Sequence, residues 1–99
     1  MKVQTRAIHF SADQKLVMFI QKKLQKLEQF FDGIVTTEVV MKLENTGKVK
    51  DKIVEVRVKV PGNMIITKET HKTFEAAIDN SLNSLKRQLI KHKERIRRK

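Results

Sequence analysis

The residues of this chain best placed to do chemistry are cations, and they are sorted by position. Between Lys86 and Lys99 stand eight Lys or Arg and a single acid, Glu94, so this segment holds +7 of the chain's formal +11. Read as a helix at about 100° per residue, Arg87, Lys91, Arg95 and Arg98 share one arc. Lys86, Lys93, Arg97 and Lys99 add charge around the same end. Phe74, Ile78, Leu82, Leu85, Leu89 and Ile96 occupy a different arc, about 80° wide. A helix built this way docks by its apolar face and offers another face to a polyanion. Its chemistry is phosphate binding, since Lys and Arg hold phosphates without reading base sequence.

A second basic set lies upstream. Lys15, Lys22 and Lys26 fall within an arc of about 40° on an earlier helix, with Lys23 beside them and away from the apolar face. If both helices pack on one side of a sheet, the two basic rows line a single groove. Lysines on one solvated helix are commonplace. Two basic rows in one packing layer favour a surface for nucleic acid, and for large RNA in particular.

Catalytic groups do not cluster. His9, His71 and His92 lie in different elements and lack metal-ligand spacing, so no metal is expected. Gly33, Gly47 and Gly62 are isolated turn residues rather than a phosphate loop. Glu38 and Glu55 can share one sheet face, where Lys42, Arg57 and Lys59 are nearer partners than an acid/base role. With no nucleophile in reach of a base, no enzyme, cofactor or small-molecule substrate is expected.

Composition bounds the rest. The 99 residues, 39% hydrophobic, suit one domain spanning 1–99. There is no cysteine, which excludes disulfides and thiolate metal sites. No apolar stretch approaches the roughly 20 residues of a membrane span, and Met1 to Phe10 lacks the apolar core of a signal peptide. A cytoplasmic protein without a membrane partner is therefore expected. Trp and Tyr are absent, and all five Phe suit core or helix-interface roles. Stacking of splayed bases is thus disfavoured against structured RNA gripped by its backbone.

The elements that must position these cations follow from hydrophobic periodicity. Val3, Thr5 and Ala7 alternate with polar residues as a first strand. A helix follows, capped by Ser11 with Gln14 or by Asp13, with Leu16, Val17, Ile20, Leu24, Leu27 and Phe31 on its apolar face and Gly33 as its stop. Val39, Met41 and Leu43 form the inward side of a second strand. After a polar, mobile connection from Asn45 to Asp51, Val54, Val56, Val58 and Val60 give the clearest period of two, in a central strand. Val60-Pro61-Gly62-Asn63 fits a type II turn into Met64-Ile65-Ile66-Thr67, whose inward side is ambiguous. Thr73 caps the last helix. The expectation is an α+β domain of order β-α-β-β-β-α, a four-stranded sheet with both helices on one face.

Two blocks carry a resemblance. Lys26-Leu27-Glu28-Gln29-Phe30-Phe31-Asp32, followed by a Val-rich strand, resembles the bacterial ribosome hibernation-promoting factor and ribosome-associated inhibitor family. So do Ala76-Ala77-Ile78-Asp79, Leu85-Lys86-Arg87-Gln88-Leu89 and Lys91-His92-Lys93, and the likeness runs in register over nearly the whole chain. It implies the same β-α-β-β-β-α order. It also implies binding to the small ribosomal subunit, between head and body, at 16S ribosomal RNA of the decoding region. TRNA and mRNA would be excluded and translation silenced in stationary phase or stress. Carried onto this chain, the implied RNA contacts are Lys22, Lys23 and Lys26, then Lys86, Arg87, Lys91, His92, Lys93 and Arg95. Ala76, Ala77 and Ile78 are implied packing positions.

Long family members carry a second domain that pairs ribosomes, for which 99 residues leave no room. Direct dimerisation through such a domain is not expected, and the protein should be monomeric off the ribosome. The basic ending Arg97-Arg98-Lys99, in place of the acidic or extended tail of some inhibitors, slightly favours promotion of ribosome pairing. The rival reading is a generic double-stranded-RNA module, which needs lysines at the start of its last helix. That position here reads Thr73-Phe74-Glu75-Ala76.

Overall fold

The computed structural model of the chain describes residues 1–46 and 49–97, and side chains outside 45–50. Its elements are β1 (Lys2–Ile8), α1 (Gln14–Gln25), a 3-10 turn (Lys26–Gln29), β2 (Thr36–Thr46), β3 (Val49–Val60), β4 (Asn63–His71) and α2 (Phe74–Arg97). The strands lie in the order β1-β2-β3-β4. β1 pairs parallel with β2, which obliges the chain to cross over through α1. β2, β3 and β4 pair antiparallel through direct connections. The expected β-α-β-β-β-α order is the observed one, with a mixed sheet and both helices on one face.

Alternation decides what each strand buries. Val39, Met41, Val54, Val56 and Val58 are fully buried and Val60 nearly so, beneath Ile20, Leu24, Leu27, Ile78, Leu85 and Leu89 of the helical layer. Each such side chain contributes about 1.5–3 kcal/mol of hydrophobic stabilisation. β4 resolves its ambiguity by turning Ile65 and Thr67 inward and leaving Met64 and Ile66 exposed. Leu43 departs from expectation: it stands on the helix side of β2 but is exposed, because the β2–β3 hairpin runs on past the helical layer. The strands continue to Thr46 and resume at Val49, so the polar connection is shorter than composition implies; Gly47 and Lys48 lie outside the described residues.

The other sheet face is uncovered. The register sets Gln4, Glu38, Arg57 and Ile66 side by side, and next to them Arg6, Val40, Glu55 and Lys68. Glu55 and Arg57 form an ion pair at 3.5 Å, as expected of acids on a solvated face.

The structure decides between the two caps read for α1, and two local details differ from the sequence reading. Asp13, not Ser11, caps α1, its carboxylate accepting from Leu16 N–H at 2.7 Å. The α-helix ends at Gln25 and tightens into a 3-10 turn, well before Gly33. Gly33 serves close approach rather than helix termination: a Cβ there would stand 2.8 Å from the Phe31 ring. Two other signals hold. Thr73 Oγ1 accepts from Ala76 N–H at 3.1 Å, and Gly62 takes the left-handed φ of 77° that a type II turn requires. Phe10 and Phe74 stack at 5.2 Å and so tie the entry of α1 to the start of α2.

Candidate nucleic-acid interface

The helices run parallel and in step. Phe19 shares a cleft with Glu75, Lys23 pairs with Asp79 at 3.6 Å, and Lys26 and Phe30 line a second cleft with Leu82, Asn83 and Lys86. Helical spacing places Lys15, Lys22, Lys23 and Lys26 on the side of α1 that turns toward α2. On α2 the same spacing puts Asp79, Lys86, Lys93 and Arg97 on the side that turns toward α1. A groove between the helices is present, but the basic row expected to line it from α2 does not do so: Lys86, Lys93 and Arg97 stand there in place of Arg87, Lys91 and Arg95. The groove's character changes along its length: Asp13, Glu75 and Asp79 mark one end, and Lys26, Lys86, Lys93 and Arg97 the other.

Individual side chains are held to different degrees. Lys86 Nζ stands 5.0 Å from the centre of the Phe30 ring, a cation–π contact that fixes its direction while leaving it exposed. Lys23 is engaged twice, by Asp79 and by the Phe19 ring at 5.5 Å, so its charge is already matched. Lys22, Lys26, Arg87, Lys91, Lys93 and Arg95 are exposed, and none joins an ion pair among the described residues.

The nine residues implied by resemblance do not form one patch. Lys22, Lys23, Lys26, Lys86 and Lys93 border the groove. Arg87 lies on the outer crest of α2, while Lys91 and Arg95 turn toward β4 and the β3–β4 turn, where Arg95 lines an open cleft with Pro61, Gly62 and Asn63. Arg98 and Lys99 lie outside the described residues.

His92 corrects the implied contact set. It is 8% exposed, with its ring edge-on to Phe31 at 5.2 Å, and so belongs to the packing beneath the cations. The signal was in the sequence. His92 follows Leu85 by seven residues and Leu89 by three, which is the spacing of the buried stripe. Ile96 errs in the opposite direction. It continues the stripe but is 49% exposed, because α2 outruns the sheet that would cover it. Phe30 and Arg97 were not singled out as site residues, though the lysine–ring pairing and the groove-side spacing bring them into it. No group of three or more His, Cys, Asp or Glu among the described residues is arranged to hold a metal. No described helix is long and apolar enough to cross a membrane.

Comparison with known proteins places this arrangement. Residues 3–97 match the family described as sigma 54 modulation protein / S30EA ribosomal protein. The ribosome hibernation promoting factor of Pseudomonas putida is 36% identical over 95 residues, covering 96% of this chain and 89% of that protein. Its counterpart in Escherichia coli K12 is 35% identical over 79 residues, or 80% of this chain and 79% of that protein. Among solved structures, a ribosomal subunit interface protein from Coxiella burnetii superposes with a TM-score of 0.83 at 24% identity, covering 95% of this chain and 99% of the other. The N-terminal domain of Thermus thermophilus Protein Y gives a TM-score of 0.80 at 25% identity, with 93% and 99% covered. Matched over nearly its whole length, the chain belongs to the sigma 54 modulation protein / S30EA ribosomal protein family.

Proposed function

We propose that this chain is a ribosome hibernation factor acting as a plug in the small ribosomal subunit. It is one ribosome-binding domain, steered by its positive field to 16S ribosomal RNA at the decoding region. There its bulk excludes tRNA and mRNA and silences translation in the cytoplasm under stationary-phase or stress conditions. The observation that carries this reading is the pair of parallel helices with cations, in no ion pair among the described residues, gathered at one end. Lys22, Lys26, Lys86 and Lys93 border the groove, while Arg87, Lys91 and Arg95 stand on the outer flank of α2, and both sets are free to meet phosphates. Lys23 contributes less because Asp79 neutralises it. His92 contributes by packing. The double-stranded-RNA alternative is disfavoured by Glu75 in the first turn of α2, where such a module needs cations.

The test is to pellet small subunits and 70S ribosomes with the protein at physiological salt, adding P-site tRNA as competitor. Saturable one-to-one binding that tRNA displaces is expected. If about six phosphates are neutralised, log K falls against log salt with a slope near −4 to −5. Unsaturable binding that any RNA removes, or a nearly flat salt response, overturns the plug.

A further inference from the structure

The final turns of α2 pass over the β3–β4 turn, and the two enclose an open cleft of about 480 Å³ lined by Pro61, Gly62, Asn63, His92, Arg95 and Ile96. That volume lies within the range of small-ligand sites. The lining combines three chemistries. Ile96 and Pro61 give exposed apolar walls. Arg95 is a cation in no ion pair among the described residues. One uncharged polar group, Asn63, converges with them. Asn63 Oδ1 accepts from Met64 N–H at 2.8 Å, which leaves its amide NH₂ free to donate. His92, more than nine-tenths buried, packs as the floor of the cleft, its Nε2 inaccessible and without a hydrogen-bond partner among the described residues. A Cβ placed at Gly62 would meet nothing within 4 Å, so the backbone rim is bare.

A simple anion would use Arg95 and leave the apolar walls idle. A purely apolar ligand would strand the guanidinium and the amide. A nucleotide uses all of them: a flat base for the walls, a polar edge for the amide, and a phosphate for the guanidinium. We propose that this cleft receives one unpaired nucleotide of the bound RNA, its phosphate at Arg95 and its base between Ile96 and Pro61, with its edge at Asn63 and His92 packed beneath it as the floor. The inference rests on the RNA-binding reading and deepens it. The two basic rows recognise phosphates wherever they lie, whereas the cleft admits only a base already out of its stack. A regular duplex cannot fill it.

The test is NMR titration of the free protein with adenosine and uridine 5′-monophosphates, using inorganic phosphate as comparator. Saturable shifts are expected at the Gly62, Asn63 and Ile96 amides and the His92 ring, with a Kd on the order of 1 mM. Phosphate should bind there roughly 10-fold more weakly. Ile96→Ser should abolish the nucleotide shifts and Ile96→Leu should retain them. Because Ile96 is exposed, an unchanged spectrum elsewhere verifies the fold of both variants. Silence at these signals, or equal shifts with phosphate, overturns the nucleotide cleft even if wild-type protein pellets with ribosomes. Cleft saturation without ribosome pelleting overturns the ribosomal reading instead and leaves the cleft standing.

Discussion

From Phe74 to Leu85, α2 carries two acids, Glu75 and Asp79, and no cation; from Lys86 to Arg97 it carries six cations and one acid, Glu94. The first half buries Phe74, Ala77, Ile78, Ser81 and Leu85 against the sheet. Its acids suit the positive end of the helix dipole, and Asp79 also ties α1 through Lys23. A cation in the last turn would suit the negative end in the same way, but the dipole's influence fades within one turn. Here the cations span three turns. The excess exceeds what helix stability requires. The first half only anchors; the second anchors through Leu89 and His92 on one face and presents charge on the others, and the acids at the first end give the molecule a direction on a polyanion.

The largest effect should come from reversing the presenting half together with its neighbours on α1. Lys22, Lys26, Arg87 and Lys91 changed together to Glu should weaken ribosome binding by roughly 10³-fold or more. Thermal stability should barely move, because all four side chains are exposed and none is ion-paired among the described residues. Pelleting and a melting curve on the same sample check both halves of the statement, and normal binding would move the site elsewhere. Leu85→Ala tests the anchor. Leu85 is fully buried in the core, so its truncation should cost about 2–5 kcal/mol in urea unfolding. The fraction that remains folded should bind ribosomes normally. A loss much below that range would mean that the core does not anchor this half.

The same division explains what could be read in the sequence. The valine alternation of β3 and the stripe of α2 up to Leu89 were legible because one apolar layer meets another there and periodicity maps directly onto burial. The cation rows were legible as arcs, but which arc of α2 turns toward α1 was not: Lys86 and Lys93 border the groove, while Arg87, Lys91 and Arg95 face away from it. What escaped depends on where packing stops. Leu43 and Ile96 obey the pattern but lie beyond the opposing layer. His92 looks polar yet sits under Phe31. The parallel pairing of β1 with β2 is a property of the crossover, which no local pattern encodes. Asp13 displaced Ser11 as the cap because the helix begins at Gln14, a boundary that both residues could serve on sequence grounds.

Gly33→Ala probes the support beneath the presenting half. The added Cβ would lie 2.8 Å from the Phe31 ring, which must then shift against the His92 edge. Overpacking of this kind costs about 1–3 kcal/mol, offset by up to ~1 kcal/mol from the stiffer unfolded chain. A net loss near 1 kcal/mol in urea unfolding is expected, with a changed His92 ring environment by NMR. Unchanged His92 signals would show that the two rings are not coupled.

Asp79→Asn has the smallest expected effect and asks the sharpest question of the comparison. Lys23 is held to Asp79 at 3.6 Å across the groove, with both side chains partly solvated. A pair like this contributes only about 0–1 kcal/mol, because water screens it and ordering two side chains costs entropy. Removing the carboxylate should therefore lower stability by about 0.5 kcal/mol or less. It should also free Lys23 and remove a negative charge from the edge of the interface. If the acidic end limits binding by repelling phosphates, ribosome affinity should rise about 2- to 5-fold at low salt and converge on wild type at high salt, where screening removes the repulsion. Unchanged affinity at every salt concentration would mean that no phosphate approaches Asp79. The contact would then begin beyond the Lys23 pair and belong wholly to Lys26, Lys86 and the cations that follow.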